Sequence, residues 1–233
     1  VTETHLALLE GFRLTRDGGE VALPSPARRL LAFLALREQP MLRDYIAETL
    51  WIDATKDRAA GSMRSALFIL RRACADAVDA LDGRLVAGPG LVIDVREAVA
   101  TARRLVSPSA ELSDLDVRGL PFSGDILPDW YDDWVVIERE RFRELRVHAL
   151  EVVCARLTSV GRFGEAMEAG LAAVKGEPLR ESAHRAVISV HLAEGNRAQA
   201  LAEYRRFRAR LDRDVGLAPS AHMDELIGEL QVR

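Results

Sequence analysis

The sequence predicts a mostly α-helical chain in two parts: an α+β domain over residues 1–95, and an all-α domain of paired helices over residues 96–233. Three observations predict it. Short alternating apolar runs bounded by Gly and Pro occur only before Glu97. Three amphipathic helical stripes lie between those runs. Beyond Glu97 strand signals cease, and a motif recurs at an offset of 34 residues. The composition, 48% hydrophobic and 29% charged over 233 residues, is that of globular domains able to bury cores.

The first strands come from Leu6 and Leu8, then Phe12 and Leu14, alternating around Gly11. Asp17-Gly18-Gly19 turns the chain toward Val21-Ala22-Leu23. Pro24-Ser25-Pro26 stops the sheet, with Ser25 expected as N-cap and Pro26 as first helical residue. Leu30, Leu31, Phe33 and Leu34 mark a first helix that Pro40 terminates. A second helix is expected from about Leu42 to Trp51, burying Tyr45, Ile46 and Leu50. A third is expected from about Lys56 to Val78, with Met63, Ala66, Leu67, Leu70 and Cys74 on one stripe. Leu85-Val86, the turn Gly88-Pro89-Gly90 and Leu91-Val92-Ile93 read as a hairpin. Strands, three helices and a closing hairpin make a winged helix with an N-terminal sheet, whose third helix is the element able to enter a DNA major groove.

A helix from Arg96 to Val106 is interrupted by a connector rich in Ser, Asp and Pro over residues 107–128. A long helix is expected from about Asp129 to Ser159, with Trp134, Ile137, Phe142, Leu145, Ala149, Val152 and Leu157 facing broadly one way. Gly161-Arg162-Phe163-Gly164-Glu165-Ala166 is then echoed by Gly195-Asn196-Arg197-Ala198-Gln199-Ala200. The offset is that of the tetratricopeptide repeat, two antiparallel helices per unit. The pairs are expected at Arg143–Val160 with Phe163–Lys175, and Leu179–Glu194 with Arg197–Arg213, capped by a last helix from Ser220 to Leu230.

Charge is informative through its distribution. The net charge is −4, yet residues 1–96 hold 13 basic and 13 acidic residues and net zero. Within that neutral half, Lys56, Arg58, Arg64, Arg71 and Arg72 face Asp57 alone, a basic helix suited to phosphate contact. With Leu67 at the centre of the buried stripe, Arg58, Gly61, Ser65, Phe68 and Arg72 point outward and Arg64 and Arg71 flank them. Arg suits guanine O6/N7 or a phosphate, and Ser65 can bond either. Arg84, just before the expected wing, joins this DNA-binding set. The competing reading is a solvated helix face.

Several wordings resemble those of SARP-type regulators, whose C-terminal half is the bacterial transcriptional activator domain. They are Leu30-Leu31-Ala32-Phe33-Leu34-Ala35-Leu36, Leu50-Trp51, Met63-Arg64-Ser65-Ala66-Leu67 and Leu70-Arg71-Arg72. Further on stand Gly124-Asp125-Ile126-Leu127-Pro128-Asp129-Trp130-Tyr131-Asp132-Asp133-Trp134, Glu177-Pro178-Leu179-Arg180-Glu181-Ser182-Ala183-His184-Arg185 and Val215-Gly216-Leu217-Ala218-Pro219-Ser220. The resemblance covers nearly the whole chain. It implies sequence-specific binding to double-stranded promoter DNA and activation of transcription, with the helical half contacting RNA polymerase or a second copy in a homodimer. Such regulators often carry polar or basic residues where this chain has Phe68 and Ile69. Base readout is then reduced, or Phe68 contacts a thymine methyl. No ATPase or phospho-receiver segment is seen, so the short form of the family is expected.

Other features have plainer readings. Trp130, Tyr131 and Trp134 among Asp129, Asp132 and Asp133 either form a partner surface or pack a helix face, with Asp129 as N-cap. Arg185, Arg205 and Arg208 on the concave side of the repeats bind a partner or only solubilise the helices. Cys74 and Cys154 read as buried free thiols. His184 and His191 lack a third metal ligand, and no phosphate-binding Gly-rich loop or nucleophile elbow occurs. No enzyme activity, cofactor, metal or membrane contact is expected, and a cytoplasmic location is. An alternative class remains: a protein-interaction adaptor whose winged helix no longer binds DNA.

Overall fold

A computed structural model describes residues 3–107, 120, 122 and 124–231. It divides into two compact units, Val1–Ala98 with Ser123–Arg141, and Val99–Phe122 with Phe142–Arg233. Most of the expected connector, namely residues 108–119, Pro121 and Ser123, lies outside the described residues.

The first unit is the expected winged helix with an N-terminal sheet. Strand β1 (Thr4–Ala7) pairs antiparallel with β2 (Arg13–Arg16), which pairs with β3 (Gly19–Glu20). Helices α1 (Ser25–Ala35), α2 (Arg43–Leu50) and α3 (Lys56–Ala73) follow, with β4 (Met41–Leu42) between the first two. Then come β5 (Val78–Leu81), β6 (Arg84–Ala87) and β7 (Leu91–Ile93). Leu30, Leu31, Phe33 and Leu34 of α1 are fully buried, as are Ile46 and Leu50 of α2 and Leu70 of α3. This is the core that the helical spacing announced.

Four local expectations are corrected. Helix α1 starts one residue early, because Pro24 is its N-cap: its extended backbone presents a carbonyl that accepts from the Ala27 and Arg28 amides, and no side chain caps the end. Tyr45 is half exposed rather than buried, its ring tilted 6.4 Å from Phe33. Helix α3 stops at Ala73, since Cys74 turns to an extended backbone and a short 3-10 turn follows. The wing is not built around Gly88-Pro89-Gly90. Strands β5 and β6 form it, turning at Asp82-Gly83, where both residues have positive φ (49° and 77°), as the two-residue hairpin turn requires. Strand β7 instead runs parallel to β1, with Ile93 level with Leu6 and both buried on the same sheet. Gly88-Pro89-Gly90 is the crossover between the two sheets.

Two charged side chains at the start of α4 (Asp94–Val106) bind backbone rather than each other. The Asp94 carboxylate accepts from the Leu8 and Leu9 amides at 2.9–3.0 Å and caps its own helix at the Val95 amide. Burial pushes its pKa up, while those amides pull it back. The Arg96 guanidinium donates to the carbonyls of Ala35 at 3.0 Å, Leu34 at 3.4 Å and Arg37 at 2.8 Å, closing the C-terminal end of α1. Arg96→Met keeps the apolar stem and removes these donors. It is expected to cost about 2 kcal/mol of stability, measured by denaturant unfolding of the full chain. A change below a few tenths of a kcal/mol would show that water caps the helix equally well.

Residues after the connector return to the first unit. Leu9 and Ile126 form an antiparallel bridge, the Glu10 amide donates to Asp125 O at 3.0 Å, and the Leu127 amide donates to Leu8 O at 2.9 Å. Helix α5 (Asp133–Ser159) starts four residues later than expected, so Asp129 is not its cap. The Asp132 carbonyl accepts from Val135 and Val136 instead. Trp130 therefore precedes the helix and stacks on Phe12 at 6.1 Å, while buried Trp134 meets Phe33 edge-on at 5.2 Å. Arg139 ties this segment together by donating to the carbonyls of Ile126, Leu127 and Trp130. Ile137, expected on the apolar stripe, is 53% exposed. Residues up to Arg141 belong to the first unit.

Among the described residues the second unit has only helices as regular elements: the remainder of α4 and α5, then α6 (Phe163–Gly176), α7 (Glu181–Ala193), α8 (Arg197–Val215) and α9 (Ala221–Gln231). Gly161 and Gly195, the repeat glycines, sit at φ of 75° and 85° where one helix ends and the next begins. Ala166 and Ala200 are fully buried, as close helix packing requires. A Cβ on Gly170 would lie 2.9 Å from Val187 Cγ2 and 3.2 Å from Cys154 Sγ, so α6 passes tightly between α5 and α7. Cys154 is fully buried, and burial pushes its thiol up to about 11, leaving a packed and inert side chain.

His184 is buried between α7 and α8. Its Nδ1 lies 2.8 Å from Glu203 Oε1, its Nε2 donates to the Pro178 carbonyl at 3.0 Å, and its ring packs 4.3 Å from Phe207. The hydrogen bond from His184 holds the Glu203 carboxyl down to about 2, opposed by burial and aided by Arg206. A carboxyl depressed in the folded state stabilises above its ordinary value near 4.5, and that stabilisation is lost as pH falls toward about 2. Melting curves of the native chain and Glu203→Gln should therefore differ most above pH 5 and converge toward pH 2. A gap that does not change with pH would refute the ionised Glu203 carboxylate as its cause.

Candidate nucleic-acid interface

Helix α3 buries Ala59, Met63, Ala66, Leu67 and Leu70. The centre of that stripe lies nearer Met63 and Leu70 than Leu67. This rotates the outward face by a fraction of a turn from the one read in the sequence. Arg64, Phe68 and Arg72, at i, i+4 and i+8, form a row on it, with Phe68 and Arg72 nearest the middle. Arg58 and Ser65 border the row on one side and Arg71 on the other. All six are exposed, Phe68 by 67%.

None of Arg58, Arg64, Arg71, Arg72 or Arg84 has a hydrogen bond or ion pair to the described residues. Their guanidinium groups are available for an outside anion. Arg71 and Arg72 occupy the last turn, where the helix dipole favours cations. Lys56 differs: its Nζ lies 3.4 Å from Asp44 and 3.9 Å from Glu48 on α2, so its charge is already shared.

Arg84 opens β6 directly after the wing turn, on the wing rather than ahead of it. It pairs across the sheet with Leu42 on one side and Leu81 on the other, and all three side chains are exposed. Sequence reasoning missed Arg43, whose Nε donates to the Gly83 carbonyl at 3.3 Å and ties the start of α2 to the wing turn. The Asp82-Gly83 dipeptide was the signal that could have located this turn.

In the second unit, Arg205 and Arg208 line an open cleft of about 450 Å³ with Asp212, Gly216 and Leu217. Arg185, on α7 and half-buried, is not part of that lining.

This arrangement, a winged helix whose exposed arginines have no partner among the described residues and a stack of helix pairs, is that of a two-part transcription regulator. Residues 94–231 match the family described as the bacterial transcriptional activator domain, so the chain belongs to that family and is a transcription regulator. The SARP-type resemblance stands with it. The chain is 28% identical to the regulatory protein AfsR of Streptomyces coelicolor over 95% of its own length, but spans only 24% of that protein. Its fold is that of EmbR of Mycobacterium tuberculosis, solved in complex with a low-affinity phosphopeptide. The TM-score is 0.71 and the identity 21%, over 99% of this chain and 65% of that one. Among the described residues no helix is long and apolar enough to cross a membrane.

Proposed function

We propose that residues 1–95 bind double-stranded promoter DNA in a sequence-specific manner, and that residues 96–233 activate transcription by contacting RNA polymerase. The observation that carries this reading is the row Arg64, Phe68 and Arg72 on the exposed face of α3, bordered by Arg58, Ser65 and Arg71, whose arginines have no hydrogen-bond or ion-pair partner among the described residues. An α-helix fits the major groove, and guanidinium groups suit guanine edges and phosphates alike. Arg84 on the wing adds a contact beside α3, and Lys56 contributes least because two carboxylates already neutralise it. In the helical unit, the Arg205 and Arg208 cleft is the surface best placed for a protein partner. Tandem half-sites would recruit a homodimer.

Mobility shift of duplexes from the chain's own upstream region, over a salt series, tests the reading. Affinity should fall log-linearly with salt, and the specific duplex should survive competition by random duplex. The adaptor reading is favoured by the exposed apolar pair Phe68 and Ile69 within residues 1–96, which carry no net charge. Absence of duplex binding at low salt would select it.

A further inference from the structure

We propose that Phe68 is a specificity-determining residue that reads the C5-methyl group of a thymine in the major groove. This inference rests on the DNA-binding reading above. An exposed Phe alone means little, since much protein surface is apolar. The position of this one is what carries the argument. Phe68 is 67% exposed, plays no part in the buried stripe of α3, and stands midway between Arg64 and Arg72 on the groove-facing row. At 1.5 Å per residue, Arg64 and Arg72 are about 12 Å apart along the axis, which spans roughly three to four base pairs.

A side chain at the middle of that row cannot avoid the base edges if its neighbours reach them. The thymine methyl is the one apolar group that projects from those edges; cytosine offers only a C5–H there. An aromatic ring laid over N7, O6 or N4 would strip water from polar groups and offer no hydrogen bond in return. Over a methyl group it buries apolar surface on both partners. The ligand class follows: a duplex with a thymine near the centre of the α3 footprint, and guanines about two base pairs to either side as partners for Arg64 and Arg72.

The test uses the full chain and duplexes enriched from a random-sequence pool, resynthesised with deoxyuridine replacing one thymine at a time. Deoxyuridine keeps every hydrogen-bonding group and loses only the methyl. At one thymine per half-site, the replacement should weaken native binding about fourfold, and 5-methylcytosine placed there in place of cytosine should strengthen it. Phe68→Ala should bind the thymine duplex about fourfold more weakly, become indifferent to deoxyuridine, and keep the native salt dependence, because no phosphate contact is lost. Phe68→Leu should retain part of the preference. Native binding that ignores deoxyuridine at every position, or a thymine preference that persists in Phe68→Ala, overturns the inference and leaves DNA binding intact. Failure of any duplex to bind overturns the reading beneath it instead.

Discussion

Replacing Arg64 and Arg72 together by Ala is expected to weaken binding to the specific duplex by about a hundredfold or more. An Arg that reaches a guanine edge contributes about 1–3 kcal/mol. The two side chains are two turns apart and share no partner, so their losses should add. Both are exposed and have no partner among the described residues, so the fold should be unchanged within about 0.5 kcal/mol. The salt series separates two modes of contact. Arginines on phosphates would lower the slope of log affinity against log salt by about 0.9 each, uniformly across sequences. Arginines on guanines would leave much of the slope and erase the preference for the specific duplex. Lys56→Ala should change far less, since Asp44 and Glu48 already hold its ammonium. A double variant with native affinity and native slope would remove α3 from the interface altogether.

The α3 face was legible in the sequence because a helix of 3.6 residues per turn leaves little freedom. Once Met63, Ala66, Leu67 and Leu70 are taken as buried, the outward row is fixed to within a residue. The small rotation of the outward face arises because Leu67 lies at the edge of the buried stripe, with Leu70 nearer its centre. The repeat was legible for a similar reason: Gly161 and Gly195 need positive φ, and Ala166 and Ala200 need close neighbours, so the pattern encodes the packing. Contacts over long separations were not legible. Arg96 capping α1, Arg139 gathering three carbonyls, and Ile126 bridging to Leu9 join elements that periodicity treats as independent. An arginine on a helix reads as a surface charge whether it meets water or a carbonyl. The wing failed for a different reason. Two turn signals, Asp82-Gly83 and Gly88-Pro89-Gly90, start six residues apart, and only tertiary pairing decides which one closes a hairpin and which carries the chain to another sheet.

That second turn supplies the largest stability effect. Gly88 and Gly90 flank Pro89 and look alike in sequence, yet the structure separates them sharply. A Cβ on Gly88 would lie 1.7 Å from the Asp76 carbonyl oxygen and 2.9 Å from its carbon, both backbone atoms, whereas a Cβ on Gly90 would meet nothing within 4 Å. The approach is close because the Gly88 amide donates to the Ala77 carbonyl at 2.9 Å, extending the β5–β6 pairing by one residue as the 3-10 turn after α3 passes beneath it. No rotamer can relieve a clash with backbone, so Gly88→Ala must displace either the 3-10 turn or the end of the wing by more than an ångström. Both strand pairing and the seat of Leu85, fully buried, depend on that junction. The expected cost is at least about 3 kcal/mol, a large share of the 5–15 kcal/mol that holds a domain together. Gly90→Ala, which creates no overlap, should stay within about 0.5 kcal/mol of native. Hydrogen exchange read at the β5 and β6 amides should then show protection lost in the first variant and kept in the second. Because that junction lies directly after α3, duplex affinity should fall in Gly88→Ala although every arginine is present. Equal stability of the two variants would mean that the Asp76 carbonyl does not sit against Gly88 in solution, and the wing would have to be rebuilt around a different turn.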